Sequence, residues 1–202
     1  MNKKKKFFFF GFGQSAKYLI KELIKSNIKF VFYATNTKST KKISFSKKTF
    51  ISYKFKDNKY DRKLLKKLKL VDYVLVSIPP RMGKDIVLRK FRKTFTKLDL
   101  KKIIYLSATS VYGNHNGRWV DENSPLKGQT KLGRSRKKAE KLWFDFRKKN
   151  KLDINIIRVS GIYSKENNVL QKIKKSKLYV KEKKFFSRIR VEDLAKIIKK
   201  VF

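Results

Sequence analysis

Short apolar runs alternate with segments of helical spacing along the whole chain. The first run, residues 7–10, ends at a glycine and is typical of a central parallel strand that is covered on both faces. Residues 16–26 then repeat apolar positions every three to four residues, which predicts a helix. The other predicted strands are residues 30–34, 50–53, 71–78, 103–107 and 154–159, and the other predicted helices are residues 60–70, 86–98 and 130–149.

Strands that alternate with helices indicate βαβ units and a parallel sheet. The predicted fold class is therefore α/β, a Rossmann-type doubly wound parallel sheet with helices on both faces. The length of 202 residues fits a single domain.

A glycine-rich loop joins the first predicted strand to the first predicted helix. It has the pattern GxGxxA, with Gly11 for the tight turn, Gly13 for close approach of a pyrophosphate, and small Ala16 for packing of helix on strand. The helix N-terminus offers free N–H groups to phosphates. We predict a dinucleotide site whose loop residues are Gly11, Gly13, Gln14, Ser15 and Ala16.

The end of the second strand bears on the choice of cofactor. NAD sites usually carry an acid about 20 residues beyond the glycines, but no Asp or Glu occurs between Glu22 and Asp57. Thr35 and Lys38 stand there instead, and a hydroxyl and an ammonium suit a 2′-phosphate better. The sequence favours NADP(H) over NAD(H).

Five segments together resemble the extended short-chain dehydrogenase/reductase superfamily, in its atypical, NAD-dependent epimerase/dehydratase-like branch of nucleoside-diphosphate-sugar epimerases. They are residues 72–80, 105–113, 119–126, 158–163 and 188–195. The resemblance covers nearly the whole chain in the family's order. It implies further cofactor contacts at Ser77 and Pro79, and a nucleotide-sugar or small carbonyl substrate. Extended members continue beyond the last of these segments into a substrate lobe, whereas this sequence stops at Phe202. We therefore expect a single NAD(P)-binding domain, 1–202, whose C-terminal lobe is short or absent.

The resemblance also implies three catalytic positions, and all three are altered. The Tyr, Lys and Ser/Thr positions of the family hold Leu132, Arg136 and Ala108. Leucine transfers no proton, and arginine keeps the charge but is a poor acid or base. Arg136 is expected to hold a cofactor phosphate or ribose.

Neighbouring hydroxyls are candidate substitutes for the altered catalytic positions. They are Ser107, Thr109 and Tyr112. For Tyr112 we favour a packing role in its turn over a catalytic one. No metal site is expected, since the chain has one histidine and no cysteine.

The formal net charge of +41 is extreme. An anionic partner, nucleic acid or a membrane surface, would explain it. Codon bias of an A/T-rich genome explains it as well, because Lys, Asn, Ile and Phe are all abundant, and we favour bias. No membrane-length apolar run or signal peptide is evident, so we expect a cytoplasmic protein.

Three hypotheses for function follow. The first is an NAD(P)-dependent oxidoreductase or epimerase-like enzyme with a rearranged site. The second is a non-catalytic dinucleotide-binding sensor or scaffold, and the third is a basic nucleic-acid-binding protein. Whether the protein forms a homodimer is left open.

Overall fold

The computed structural model describes residues 4–57, 59–168 and 185–202. Ten strands lie within these ranges: β1 (Lys5–Phe10), β2 (Phe30–Asn36), β3 (Lys41–Phe45), β4 (Lys48–Lys56), β5 (Lys59–Tyr60), β6 (Tyr73–Val76), β7 (Lys102–Ala108), β8 (Ile154–Val159), β9 (Gly161–Tyr163) and β10 (Arg188–Arg190). The α-helices of the same ranges are α1 (Gln14–Lys25), α2 (Lys63–Leu68), α3 (Ile86–Phe95), α4 (Lys131–Asn150) and α5 (Val191–Val201), and a 3₁₀ turn spans Thr109–Val111.

The main sheet has the strand order β3-β4-β2-β1-β6-β7-β8, with β5 paired to β4. Strands β4, β2, β1, β6, β7 and β8 are parallel to one another. This is the doubly wound order, and the direction of winding reverses between β1 and β6. The predicted α/β fold class is confirmed. A ligand of such a sheet binds beyond the carboxyl ends of the strands at this reversal.

Strand β1 lies in the middle of the sheet and supplies both apolar layers. Phe8 and Phe10 pack with α2, α3 and α4 on one face, while Phe7 and Phe9 pack with α1 and α5 on the other. All four rings are fully buried. Four consecutive apolar residues are therefore required here, because successive side chains of a strand point to opposite faces.

The structure differs from the sequence prediction mainly at the sheet edge. Predicted strand 50–53 is part of the longer β4, which forms an antiparallel hairpin with β3 through a turn at Ser46 and Lys47, both at positive φ. The predicted helix 60–70 shortens to α2, and the predicted strand 71–78 shortens to β6. Within the described ranges, no helix combines the length and the apolar composition that crossing a bilayer requires.

Candidate functional site

The glycine loop lies at the carboxyl end of β1, between β2 and β6. Gly11 has a φ of 97°, and its N–H donates to Thr35 Oγ1 at 2.9 Å. A Cβ at Gly11 would lie 2.7 Å from Ser77 Oγ and 3.2 Å from Cγ1 of Ile78. Both the backbone angle and the crowding restrict this position to glycine.

Gly13 is the N-cap residue of α1, and it leaves space open in front of the helix. No side chain caps this N-terminus, and the first turn holds no acidic residue. A Cβ at Gly13 would have no atom of the described chain within 4 Å. The first-turn N–H groups are therefore available to an anion, which the helix dipole also favours.

The predicted loop residues come together at this N-terminus. Ser15 is 7% exposed, and Ala16 is fully buried against the core on the α1 face. Small Ala16 thus packs the helix on the strand. The side chain of Gln14 is bonded to the segment after β9, since its Nε2 donates to Ser164 Oγ at 2.6 Å.

Ser77 lies on the β6 side of the loop. The Ser77 hydroxyl donates to the carbonyl of Phe10 at 3.1 Å, directly beside Gly11. Pro79 is exposed two residues further along. Ser77 therefore borders the loop at Gly11.

Thr35 and Lys38 differ in their surroundings. Thr35 is 1% exposed, and its hydroxyl is bonded to the loop. We therefore infer that Thr35 supports Gly11. A direct contact of its hydroxyl with a 2′-phosphate, which the sequence suggested, is not favoured. Lys38 is exposed at the rim, in a turn held by Asn36, whose Oδ1 accepts from the N–H groups of Lys38 and Ser39 at 2.8 and 3.1 Å.

The positions that replace the family's catalytic residues lie at the ends of β7 and α4. The N-terminus of α4 is capped by Thr130, whose Oγ1 accepts from Gly133 N at 3.0 Å. Leu132 is 69% exposed on its first turn. Arg136 is half-buried, and its Nη1 donates to the carbonyl of Leu106 at 3.0 Å. One guanidinium N–H is thus bound to the end of β7.

The three candidate hydroxyls are not equivalent. Ser107 is 3% exposed, and its Oγ has no hydrogen-bond partner among the described residues. Thr109 is half-buried and begins the 3₁₀ turn. Tyr112 is 7% exposed, and its phenol oxygen accepts from Arg158 Nη1 at 3.0 Å. The packing role that we favoured for Tyr112 fits this environment.

The ion pair between Arg158 and Glu140 holds Tyr112 in place. Arg158 Nη2 lies 3.0 Å from Oε2 of Glu140, a carboxylate on α4 that is 5% exposed. The guanidinium carbon also lies 5.0 Å from the centroid of the Tyr112 ring. Burial opposes the charged form of Arg158, but the hydrogen bonds that its guanidinium donates to Glu140 and Tyr112 outweigh it and raise the Arg158 pKa. The pair therefore joins α4, β8 and the 3₁₀ turn.

Sequence reasoning missed Asp85, which joins α3 to α4. Its Oδ1 accepts from Leu88 N at 2.7 Å as the N-cap of α3, and its Oδ2 accepts from Trp143 Nε1 at 3.1 Å. Burial raises the pKa of this carboxyl. An acid directly before an apolar helix is an N-cap signal that could have revealed it.

A second missed feature is the segment after β9, which lies against α1. Besides the bond from Gln14, the phenol of Tyr18 donates to Glu166 Oε2 at 2.9 Å. Ser164 is 4% exposed and accepts from the N–H of Asn167 at 3.0 Å. This segment therefore forms a wall beside the α1 N-terminus. No pattern in the sequence indicates these contacts, since they join residues about 150 positions apart.

No family model matches the sequence. No curated protein matches it either. Solved structures do match the fold. A conserved protein of unknown function from Silicibacter pomeroyi is 25% identical with a TM-score of 0.77, covering 97% of this chain and 67% of its own.

Two nucleotide-sugar epimerases have the same fold at lower identity. UDP-glucuronic acid 4-epimerase from Bacillus cereus, in complex with UDP-glucuronic acid and NAD, is 16% identical with a TM-score of 0.72, covering 94% of this chain and 70% of its own. UDP-N-acetylglucosamine 4-epimerase from Methanobrevibacter ruminantium is 19% identical with a TM-score of 0.69, covering 97% and 72%.

Proposed function

Because the chain has the fold of the extended short-chain dehydrogenase/reductase superfamily, we propose that it binds a nicotinamide dinucleotide at the glycine loop. One observation carries the proposal, the uncapped N-terminus of α1 with the open space at Gly13. A pyrophosphate placed there accepts hydrogen bonds from the N–H groups of the first helical turn. Ser77 and Pro79 border it on the β6 side.

The proposed preference is for NADP(H). Lys38 is exposed at the rim beyond β2, where its ammonium can meet a 2′-phosphate. No carboxylate occurs between Glu22 and Asp57 to accept a ribose 2′-hydroxyl. The epimerase from Bacillus cereus binds NAD, so the ratio of the two affinities is a direct test of this preference.

The protein acts as a dinucleotide-binding protein without the proton relay of the family. Leu132 and Ala108 carry no acidic or basic group, and Arg136 is bound to the end of β7. The Tyr112 oxygen accepts a hydrogen bond from Arg158, which holds the phenol in the packing role assigned to it. A UDP-sugar, with which both epimerases are in complex, is the second ligand class that we propose for this fold. A single domain and a cytoplasmic location complete the proposal.

The decisive experiment titrates the protein with NADPH and separately with NADH, followed by nicotinamide fluorescence or calorimetry. The variant Gly13→Asp places a carboxylate where the phosphates would lie, and Gly13→Asn is the uncharged control of equal size. Since Gly13 has φ −89° and an empty Cβ position, we expect both variants to fold normally. We expect micromolar binding of NADPH that Gly13→Asp abolishes and Gly13→Asn weakens less. No binding of either dinucleotide by the native protein would refute the proposal.

A rearranged enzyme is the second candidate. Ser107 favours it, since a buried hydroxyl without a partner beside the altered Ala108 position is a group that a ligand could engage. NADPH oxidation is measured with carbonyl compounds and UDP-sugars for the native protein and for Leu132→Tyr/Arg136→Lys/Ala108→Ser. Turnover by the native protein would establish this candidate. Turnover only by the triple variant, in which exposed Leu132 makes room for a tyrosine, would support the non-catalytic proposal.

A further inference from the structure

A groove lies between α3 and α4 at the protein surface. Residues 83–92 line one side of it and residues 142–149 line the other, and we call it the α3–α4 groove. Its volume is about 360 Å³, within the range of about 300–1,000 Å³ for ligand pockets. Both helices pack on the face of the sheet opposite to α1, so the groove is separate from the proposed dinucleotide site.

Apolar side chains form the inner surface of the groove. Leu88 of α3 is 6% exposed, and Leu142 and Phe146 of α4 lie one helical turn apart on the side that lines the groove. Leu142 is 47% exposed, and Phe146 is half-buried. The apolar surface between the two helices is therefore not closed by the described residues of the protein itself.

Cationic side chains surround this apolar surface. They are Lys84, Arg89, Arg92 and Lys149. Among the residues that the structure describes, the side chains of Lys84, Arg92 and Lys149 take part in no ion pair. The lining also includes one exposed acid, Asp145, and the buried Asp85, whose two oxygens already accept hydrogen bonds within the protein. The rim of the groove therefore has a net positive charge.

The dimensions and the charge of the groove limit what can occupy it. Residues 85–92 and 142–149 each span two helical turns, or about 10 Å. Over that length, a volume of about 360 Å³ corresponds to a mean cross-section of about 35 Å². A partner helix, which is about 10–12 Å wide with its side chains, is too wide to enter. A second copy of this chain, with its net charge of +41, would place cations against the cationic rim.

We propose that the α3–α4 groove binds a medium-chain aliphatic carboxylate. The chain, a single file of methylene groups, lies along Leu88, Leu142 and Phe146, where it removes exposed apolar surface from water. The carboxylate lies at Arg92, one helical turn from Leu88, because a guanidinium binds both carboxylate oxygens through paired N–H donors. With C–C bonds of about 1.5 Å, an extended chain of about eight carbons matches the length of the groove.

The test is equilibrium dialysis of the full chain with radiolabelled octanoate, kept below its micelle-forming concentration, with hexanoate and octan-1-ol as competitors. We expect saturable binding of one octanoate per chain. Hexanoate lacks two methylene groups and should bind about fifteenfold more weakly, because each buried methylene contributes about fourfold to affinity. Octan-1-ol keeps the chain and loses the charge, so it should bind at least about tenfold more weakly. No saturable binding of octanoate, or equal affinities for octanoate and either competitor, would overturn the proposal.

Two pairs of matched variants separate the groove from the overall charge of the protein. Leu142→Asp and Phe144→Asp each put a carboxylate on α4 at a similarly exposed position, 47% and 49%, but only Leu142 lines the groove. Arg92→Gln and Lys93→Gln each remove one exposed cation of α3, and only Arg92 lines the groove. We expect Leu142→Asp and Arg92→Gln to weaken octanoate binding at least about tenfold, and the other two variants to bind octanoate as the native protein does.

Equal losses within either pair would show attraction by net charge alone and would contradict the site. Sedimentation equilibrium tests the competing occupant, a second copy of the chain. A dimer that Leu142→Asp dissociates would show that the groove is filled by the second copy, and it would also overturn the proposal. The thermal midpoint and NADPH titration of each variant report on folding and on the dinucleotide site independently.

Discussion

The hydrogen bond from Gly11 to Thr35 makes a sharp prediction about the loop. Thr35→Val keeps the shape of the side chain and removes the acceptor, so the N–H of Gly11 is left unpaired at a partly buried position. An unsatisfied buried donor costs about 1–3 kcal/mol. For a protein of this size each kcal/mol lowers Tm by roughly 2–4 °C. We expect a Tm lower by about 2–12 °C and, because Gly11 is no longer fixed, weaker NADPH binding.

The measurement is calorimetric unfolding combined with NADPH titration below the transition. Thr35→Ser is the matched control, since it keeps the acceptor and loses only one buried methyl group, which costs about 0.8 kcal/mol. The order of stability should be native, then Thr35→Ser, then Thr35→Val. A Thr35→Val protein as stable as the native one, or more stable than Thr35→Ser, would refute the role given to this hydrogen bond.

Three further predictions concern stability. Lys199 donates to Glu22 at 2.6 Å and lowers the Glu22 pKa. The stability that this ion pair contributes is present above the ordinary pKa of glutamate and is lost as the pH falls through the lowered pKa of Glu22. Acid titration of Lys199→Met should therefore show a shallower loss of stability than the native protein, and parallel curves would contradict this prediction. Gly133→Ala brings a Cβ within 2.6 Å of a backbone carbonyl of the 3₁₀ turn, so urea unfolding should show a loss of about 1–3 kcal/mol, whereas a gain of the order of helix propensity would argue against this crowding. Arg158→Met strands the buried carboxylate of Glu140 and should cost about 3 kcal/mol, and adding Glu140→Gln should restore part of the loss; additive losses in the double variant would rule out the coupling.

The central fold was predictable because its strands carry a strong apolar signal. Residues 7–10 and 103–107 are buried on both faces of the sheet, so nearly every position is apolar. Strand β3 is an edge strand with largely exposed lysines, and its pattern is indistinguishable from a polar loop. The three-residue strand β10 consists of two arginines around one isoleucine and is too short to show a period.

The candidate site also has a part that the sequence predicts and a part that it does not. The glycine loop is local in sequence, so its spacing was enough to predict where Gly11 and Gly13 would stand. The contact between Gln14 and Ser164 joins distant parts of the chain, and only the packing of the segment after β9 against α1 brings them together. The burial of Thr35 was equally hidden, because a hydroxyl at a strand end fits a ligand contact and a loop support alike.

The central position of β1 has a consequence for how the protein opens. Because its four phenylalanines belong alternately to the two layers, we expect the two layers to open together rather than one at a time. The amides of β1 should therefore exchange with deuterated solvent only through global unfolding, whereas those of β3, at the edge of the sheet, exchange through local fraying. Residues 7–10 thus make the two halves of the molecule a single cooperative unit.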